Sequence, residues 1–86
     1  MKKLRSSIYS PEQTFLREIF ITQRKKLGLS QRMLAERLGV IYSLTGKVET
    51  GDRRLDVVEF VEYCYALELD PQEVLYELCQ VLEKGQ

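Results

Sequence analysis

The sequence contains no histidine, and this absence limits the chemistry open to the protein. Histidine is the commonest general base in enzymes and the commonest metal ligand, so both roles would fall to other residues. No nucleophile with a neighbouring base suggests itself elsewhere in the 86 residues. We therefore predict that the protein is not an enzyme and that it uses no metal and no cofactor.

Long apolar runs are missing as well. No stretch approaches the ~20 apolar residues of a membrane-spanning helix, and the basic start "MKKLRSSIYS" lacks the apolar core of a signal peptide. The sequence thus predicts a cytoplasmic protein without a membrane partner. Cysteine is scarce, and Cys64 and Cys79 both lie in apolar helical patterns. In a reducing compartment we interpret both as small core side chains rather than as a disulfide.

The net charge is zero, but the positive and negative residues are unevenly distributed along the chain. Residues 1–54 hold twelve Lys and Arg and five Asp and Glu, a balance of +7, whereas residues 55–86 hold one and eight, a balance of −7. This division predicts a basic end that contacts a polyanion such as nucleic acid and an acidic end that is kept away from it. The competing interpretation is that the charges only solvate helix faces.

Helix signals cover most of the chain, and strand signals are almost missing. Ser10, Pro11 and Gln13 form the first helix start, and Asp56 with Glu59 forms a capping box at the fourth. We predict an all-α fold, a compact five-helix domain at 10–86 that follows a flexible N-terminal arm at 1–9. The predicted helices cover about residues 11–26, 31–38, 42–50, 57–67 and 71–84.

A 20-residue pattern that begins at Gln31 predicts a helix-turn-helix at about residues 30–50. Ala35 is the small residue at which two helices cross closely, and Gly39 supplies the positive φ of the turn. Thr45 stands where Val or Ile is usual, and its hydroxyl is expected to bond a carbonyl group one turn back. The expected buried positions are Leu34, Leu38, Val40 and Val48.

Three segments carry a resemblance to a known family: "RKKLGLSQRMLAERLGV", "KVETGDRRLD" and "EFVEYCYALELDP". Over about Phe15 to Leu82 the chain resembles the phage lambda repressor and Cro family of DNA-binding proteins, also called the XRE family. The resemblance implies a lambda repressor-like DNA-binding fold, double-stranded DNA as a partner and binding to palindromes as a homodimer. Two positions depart from the family's pattern. Ile41 replaces the Ser or Pro that opens the recognition helix, and Gly46 replaces a residue with a side chain.

One face of the third helix is expected to enter the major groove, because its members are spaced along the helix opposite Thr45 and Val48. Lys47 can donate to guanine or to a phosphate. Gly46 either allows close approach of the backbone to DNA or is a tolerated weak point. The members of this face are Tyr42, Ser43, Gly46, Lys47 and Thr50.

Further positions are expected to hold the DNA backbone. Gln31, at the start of the second helix, is where the family contacts phosphate, and the helix dipole favours an anion there. Arg32, Arg53 and Arg54 are predicted to flank the duplex, with a solvated surface role as the alternative for each. The resemblance also implies a partly buried ion pair between Arg24 and Glu49, which occupy positions that pair in the family.

The acidic helices carry apolar stripes that are wider than one small core requires. We interpret the C-terminal helices at 56–84 as a contribution to dimerisation, since family members read palindromes as dimers. The alternative is a fourth helix that is fully buried in a monomer. The residues predicted to contact the second copy are Val74, Leu75, Leu78 and Leu82.

These features favour a sequence-specific transcriptional regulator, a repressor that binds a palindromic operator as a dimer. The alternative is an antitoxin that binds a toxin protein through its C-terminal half and represses its own operon through the helix-turn-helix. An enzyme ranks third.

Overall fold

The computed structural model of the protein describes residues 10–84, so the predicted arm at 1–9 lies outside the described residues. Within that range the chain forms five α-helices and no strand, which confirms the predicted all-α fold. None of the helices in this range is long and apolar enough to cross a membrane. The helices are α1 (Pro11–Lys26), α2 (Gln31–Leu38), α3 (Tyr42–Thr50), α4 (Val57–Ala66) and α5 (Pro71–Lys84).

Capping side chains fix the starts of three helices where the sequence predicts them. The Ser30 hydroxyl accepts a hydrogen bond from the backbone N–H of Met33 at 3.1 Å, and Ser10 caps α1 in the same way. Asp56 and Glu59 form the predicted reciprocal capping box, with bonds of 2.8 and 2.9 Å. By contrast, the N-cap residue of α3 is Ile41, whose side chain has no acceptor, so the helix begins at Tyr42 without a side-chain cap.

The core lies where the five helices meet, with α2 contributing the fully buried Leu34, and aromatic rings occupy its centre. The Phe20 ring is 4.7 Å from the Tyr63 ring and 6.2 Å from the Phe60 ring, measured between centroids. Cys64 is fully buried beside them, and burial, together with the charge of Asp70, raises the pKa of its thiol to about 11. Cys79 is free and exposed, so its assignment to the core was wrong.

The turn between α2 and α3 has the predicted left-handed residue. Gly39 has φ of +71°, and the next N–H, that of Val40, donates to Ala35 O at 3.0 Å. Ala35 is buried at the crossing of the two helices. The expected burial of Val40 was wrong, because the turn brings this residue to the surface, where 40% of it is exposed.

Thr45 connects the two helices of this unit. It is fully buried, and its Oγ1 lies 2.8 Å from Tyr42 O and 2.9 Å from Gln31 O. The expected bond to a carbonyl group one turn back is therefore present. The second carbonyl belongs to the start of α2, so the hydroxyl that replaces a Val or Ile methyl joins α3 to α2.

The last helix contributes to the core through Val74, which is only 3% exposed. Its prediction as a dimer contact was wrong, since Val74 faces inward at the first turn of α5 and packs with the core, which Leu69 also contacts. Leu75 is 45% exposed, and Leu78 and Leu82 are half-buried.

The alternative of a fully buried α4 does not hold either. Three of its residues, Val57, Val58 and Tyr65, are mainly exposed.

The turn glycine provides a stability test. Gly39→Ala should cost about 1 to 2 kcal/mol of unfolding free energy, because the left-handed backbone strains any residue with a Cβ. The cost should be conformational alone, since nothing lies within 4 Å of the added methyl group. Gly39→Asn is the control, because asparagine tolerates this conformation. Urea denaturation that finds Gly39→Ala as stable as the parent would contradict the account.

Candidate nucleic-acid interface

A mostly buried ion pair holds α3 against α1. The Arg24 guanidinium, near the end of α1, donates from Nε to Glu49 Oε2 at 2.6 Å and from Nη2 to Glu49 Oε1 at 3.0 Å. Its Nη1 donates to Leu29 O at 2.8 Å. The two side chains are 12% and 6% exposed, and the bond to Glu49 raises the pKa of Arg24. One side chain thus holds together the end of α1, the residues before α2 and the end of α3.

Gln31 also belongs to this cluster, and no sequence pattern predicted that contact. Its Nε2 donates to Glu49 Oε1 at 2.9 Å, so the side-chain amide turns inward instead of extending toward a phosphate. Its Oε1 lies 3.3 Å from the point that a Cβ on Gly46 would occupy. The missing side chain at Gly46 therefore makes room for Gln31, a reason that neither sequence interpretation of this glycine included.

The predicted reading face of α3 is accessible. Tyr42, Ser43, Lys47 and Thr50 are exposed, and Gly46 is half-buried under Gln31. Within residues 10–84, the Lys47 ammonium group forms no ion pair. The Thr50 hydroxyl lies 3.1 Å from Lys47 O and 3.0 Å from Asp52 Oδ2, which fixes it at the end of the helix.

Arg32 connects the start of α2 to the start of α3. Its guanidinium carbon lies 4.7 Å from the centroid of the Tyr42 ring, within the range of a cation–π interaction. Both side chains are exposed. The predicted phosphate contact and the predicted reading residue therefore form one continuous surface.

The two arginines of the α3–α4 loop have different environments. Arg53 forms a two-pronged ion pair with Glu59, at 3.1 Å from Nη1 and 2.7 Å from Nη2, and also donates to Arg54 O. The bond from Arg53, followed by the bond from the Asp56 N–H, lowers the pKa of Glu59 to about 2. Arg54 is exposed and forms no ion pair among the described residues. Arg53 therefore braces the loop, while Arg54 remains available to an anion.

The solved structures that are similar to this chain include two bacterial proteins. An XRE-family like protein from Pseudomonas syringae pv. tomato str. DC3000 is 34% identical, with a TM-score of 0.79, over 86% of this chain and 90% of that one. The clp gene regulator ClgR from C. glutamicum is 22% identical, with a TM-score of 0.70, over 84% and 94% of the two chains, and supports the fold. No protein-family profile and no curated protein sequence matches the chain.

The five-helix fold, with a helix-turn-helix at residues 31–50 and an exposed face on its second helix, defines a helix-turn-helix DNA-binding protein. The identity to the Pseudomonas protein extends over most of both chains. The chain therefore belongs to the XRE family of helix-turn-helix transcriptional regulators, which confirms the resemblance found in the sequence.

The buried ion pair can be tested against an exposed one. Arg24→Ala should lower the unfolding free energy by about 3 kcal/mol, because it leaves the Glu49 carboxylate desolvated and without its main partner. Arg37 is a matched control, since it pairs with Glu68 at 2.9 Å and also donates to Ala66 O, while the Arg37 and Glu68 side chains are 40% and 59% exposed. Arg37→Ala should cost no more than about 1 kcal/mol. Equal melting temperatures for Arg24→Ala and the parent would refute the structural role of the pair.

Proposed function

We propose that the protein is a sequence-specific repressor that binds a palindromic operator as a homodimer. The observation that supports this most is the contrast along α3. Its inner side is fixed by the Arg24–Glu49 cluster, and its outer side carries Lys47, whose exposed ammonium group forms no ion pair among residues 10–84. A helix that is held from its inner side and carries exposed polar side chains on its outer side suits the reading of base edges in a major groove. DNA as the target implies action in the cytoplasm.

The reading-face residues that carry side chains have separate roles in this proposal. Lys47 donates to O6 and N7 of a guanine, and Ser43 bonds either base type. Tyr42 contacts a thymine methyl group or a phosphate, and Thr50 lies at the edge of the groove. Gly46 carries no reading group.

Phosphate contacts position α3 in the groove. Arg32 and Arg54 supply charge, whereas Arg53 acts through its bond to Arg54 O, which orients the loop. Gln31 contributes its backbone N–H at the start of α2, where the helix dipole favours an anion, because its side chain is bound to Glu49.

Base reading and phosphate anchoring are separable by mutation. Lys47→Ala should weaken binding to the preferred site more than binding to random DNA. Arg54→Ala should weaken both alike and reduce the slope of log K against log salt by about one unit. Fluorescence anisotropy with both DNAs at several salt concentrations measures this. Equal losses from the two variants on both DNAs would mean that α3 does not read the sequence with this face.

The proposed dimer uses the outer face of α5, where Leu75, Leu78 and Leu82 are grouped by helical spacing and remain partly accessible. Two copies that meet across a two-fold axis would present two reading helices to one duplex. Repression follows when the bound dimer covers promoter DNA.

The dimer predicts the layout of the operator. The half-site centres should be about 10 to 10.5 base pairs apart, one helical turn of roughly 34 Å. Insertion of five base pairs should reduce binding to the level of a single half-site, because it turns one half-site to the opposite side of the duplex.

The same dimer is tested on the protein side. Leu75→Glu should give monomers with single-half-site affinity, whereas Gln80→Glu adds the same charge on the opposite side of α5 and should not. Circular dichroism checks that both variants are folded. The dimer would be refuted if the parent protein sediments as a monomer at concentrations at which it binds DNA tightly, or if the insertion does not weaken binding. The protein would then bind DNA as a monomer.

A further inference from the structure

A cavity of about 110 Å³ lies between α1 and the α3–α4 loop, and three of its polar lining residues are arginines. Arg17, Arg53 and Arg54 border it, together with Gln13 and Gly51, and no carboxylate does. Its apolar wall includes Leu16, Phe20 and Val48. The volume exceeds the ~30 Å³ share of one water molecule several times, so the cavity has space for a group of several heavy atoms.

Arg17 borders this cavity, although no sequence pattern predicted a functional role for it. Its Cζ and Nη1 lie 3.0 Å from the point that a Cβ on Gly51 would occupy, so the guanidinium lies directly against the glycine backbone. Its one hydrogen bond among the described residues goes to Thr14 Oγ1 at 3.4 Å, close to the limit for such a bond. Gly51 is therefore needed for its φ of +90°, and its lack of a side chain leaves the space that the Arg17 guanidinium occupies.

The charges around the cavity are not balanced. Glu59 neutralises Arg53, but neither Arg17 nor Arg54 has an ion-pair partner among residues 10–84. Two like charges on one small cavity repel each other, and an anion between them would remove the repulsion. A guanidinium fork matches the oxygens of a phosphate group in geometry as well as in charge.

We propose that this cavity is a phosphate site, in which Arg17 and Arg54 together contact one phosphate of the DNA backbone. Gly51, which borders the cavity, directly follows the last residue of α3. A helix that lies in the major groove has a row of phosphates on each side, so a site at the end of α3 would lie beside one of these rows. Arg17 thus extends the DNA-binding surface to α1. This inference rests on the proposed DNA-binding function.

Arg17→Ala tests the site. The affinity should fall roughly tenfold for the preferred site and for random DNA alike, as for loss of a charge-assisted hydrogen bond. The salt slope should fall by about one unit. Arg37→Ala removes the same charge from a residue that is paired with Glu68 and does not line the cavity, and it should leave both quantities unchanged.

The double variant Arg17→Ala/Arg54→Ala decides whether the two residues share one phosphate. The shared site holds its phosphate only when both guanidinium groups are present, so each single variant loses that contact and the double variant loses nothing more. The double variant should therefore reduce the slope by about one unit, as each single variant does. Two separate phosphates would give about two units. A slope change of two, or a loss confined to the preferred site, would overturn the shared site.

Titration of the DNA-free protein with inorganic phosphate, followed by NMR at the amides of residues 17 and 51–54, distinguishes the two sources of phosphate. Weak binding of free phosphate together with the DNA loss in Arg17→Ala supports the proposal. Binding of free phosphate with unaltered DNA affinity in Arg17→Ala would make the cavity a small-anion site and overturn it. If no DNA is preferred over random DNA, the proposed function fails, but the slope measured on random DNA still decides the role of Arg17.

Discussion

The bond between Arg24 and Glu49 determines where α3 lies on the rest of the molecule. A charged pair with little exposure is tolerated only when its hydrogen-bonding groups are satisfied, because each ion has lost most of its hydration. Here Arg24 uses three of its nitrogens, and both oxygens of Glu49 accept bonds, one of them from Gln31 as well. These bonds join α1 to the start of α2 and the end of α3, so the two helices of the motif cannot shift without breaking them.

This constraint explains how α3 remains helical with an unsuitable sequence. The helix has nine residues, contains Gly46 and two threonines, and begins without a capping side chain. Such a segment would not be stable alone, since a short helix depends on tertiary contacts. Thr45 bonds to Gln31 O near its start, and Glu49 binds Arg24 near its end. Because stability comes from the inner side, the exposed residues are available for recognition.

The sequence predicted what depends on local chemistry. Helix starts at Ser10, Ser30 and Asp56 follow from side chains that satisfy nearby N–H groups, and the turn at Gly39 follows from backbone sterics. Burial was harder to predict, because a periodic apolar pattern indicates a face but not its depth.

Val40 and Val74 illustrate that difficulty. Val40 lies outside the core and Val74 inside it, contrary to expectation. The orientation of Gln31 and the contact of Arg17 with Gly51 depend on residues far apart in the chain, so no local signal marked them.

The basic and acidic halves of the chain are not only separate in sequence but are also joined by ion pairs. Two arginines of the basic half are paired with the acidic half, since Glu59 binds Arg53 and Glu68 binds Arg37. Among the described residues, Arg17, Arg32, Lys47 and Arg54 have no such partner. The carboxylates of α4 and of the segment after it therefore select which cations remain available to DNA. A protein of zero net charge can then present unpaired basic side chains, because part of its negative charge is held in ion pairs with Arg37 and Arg53.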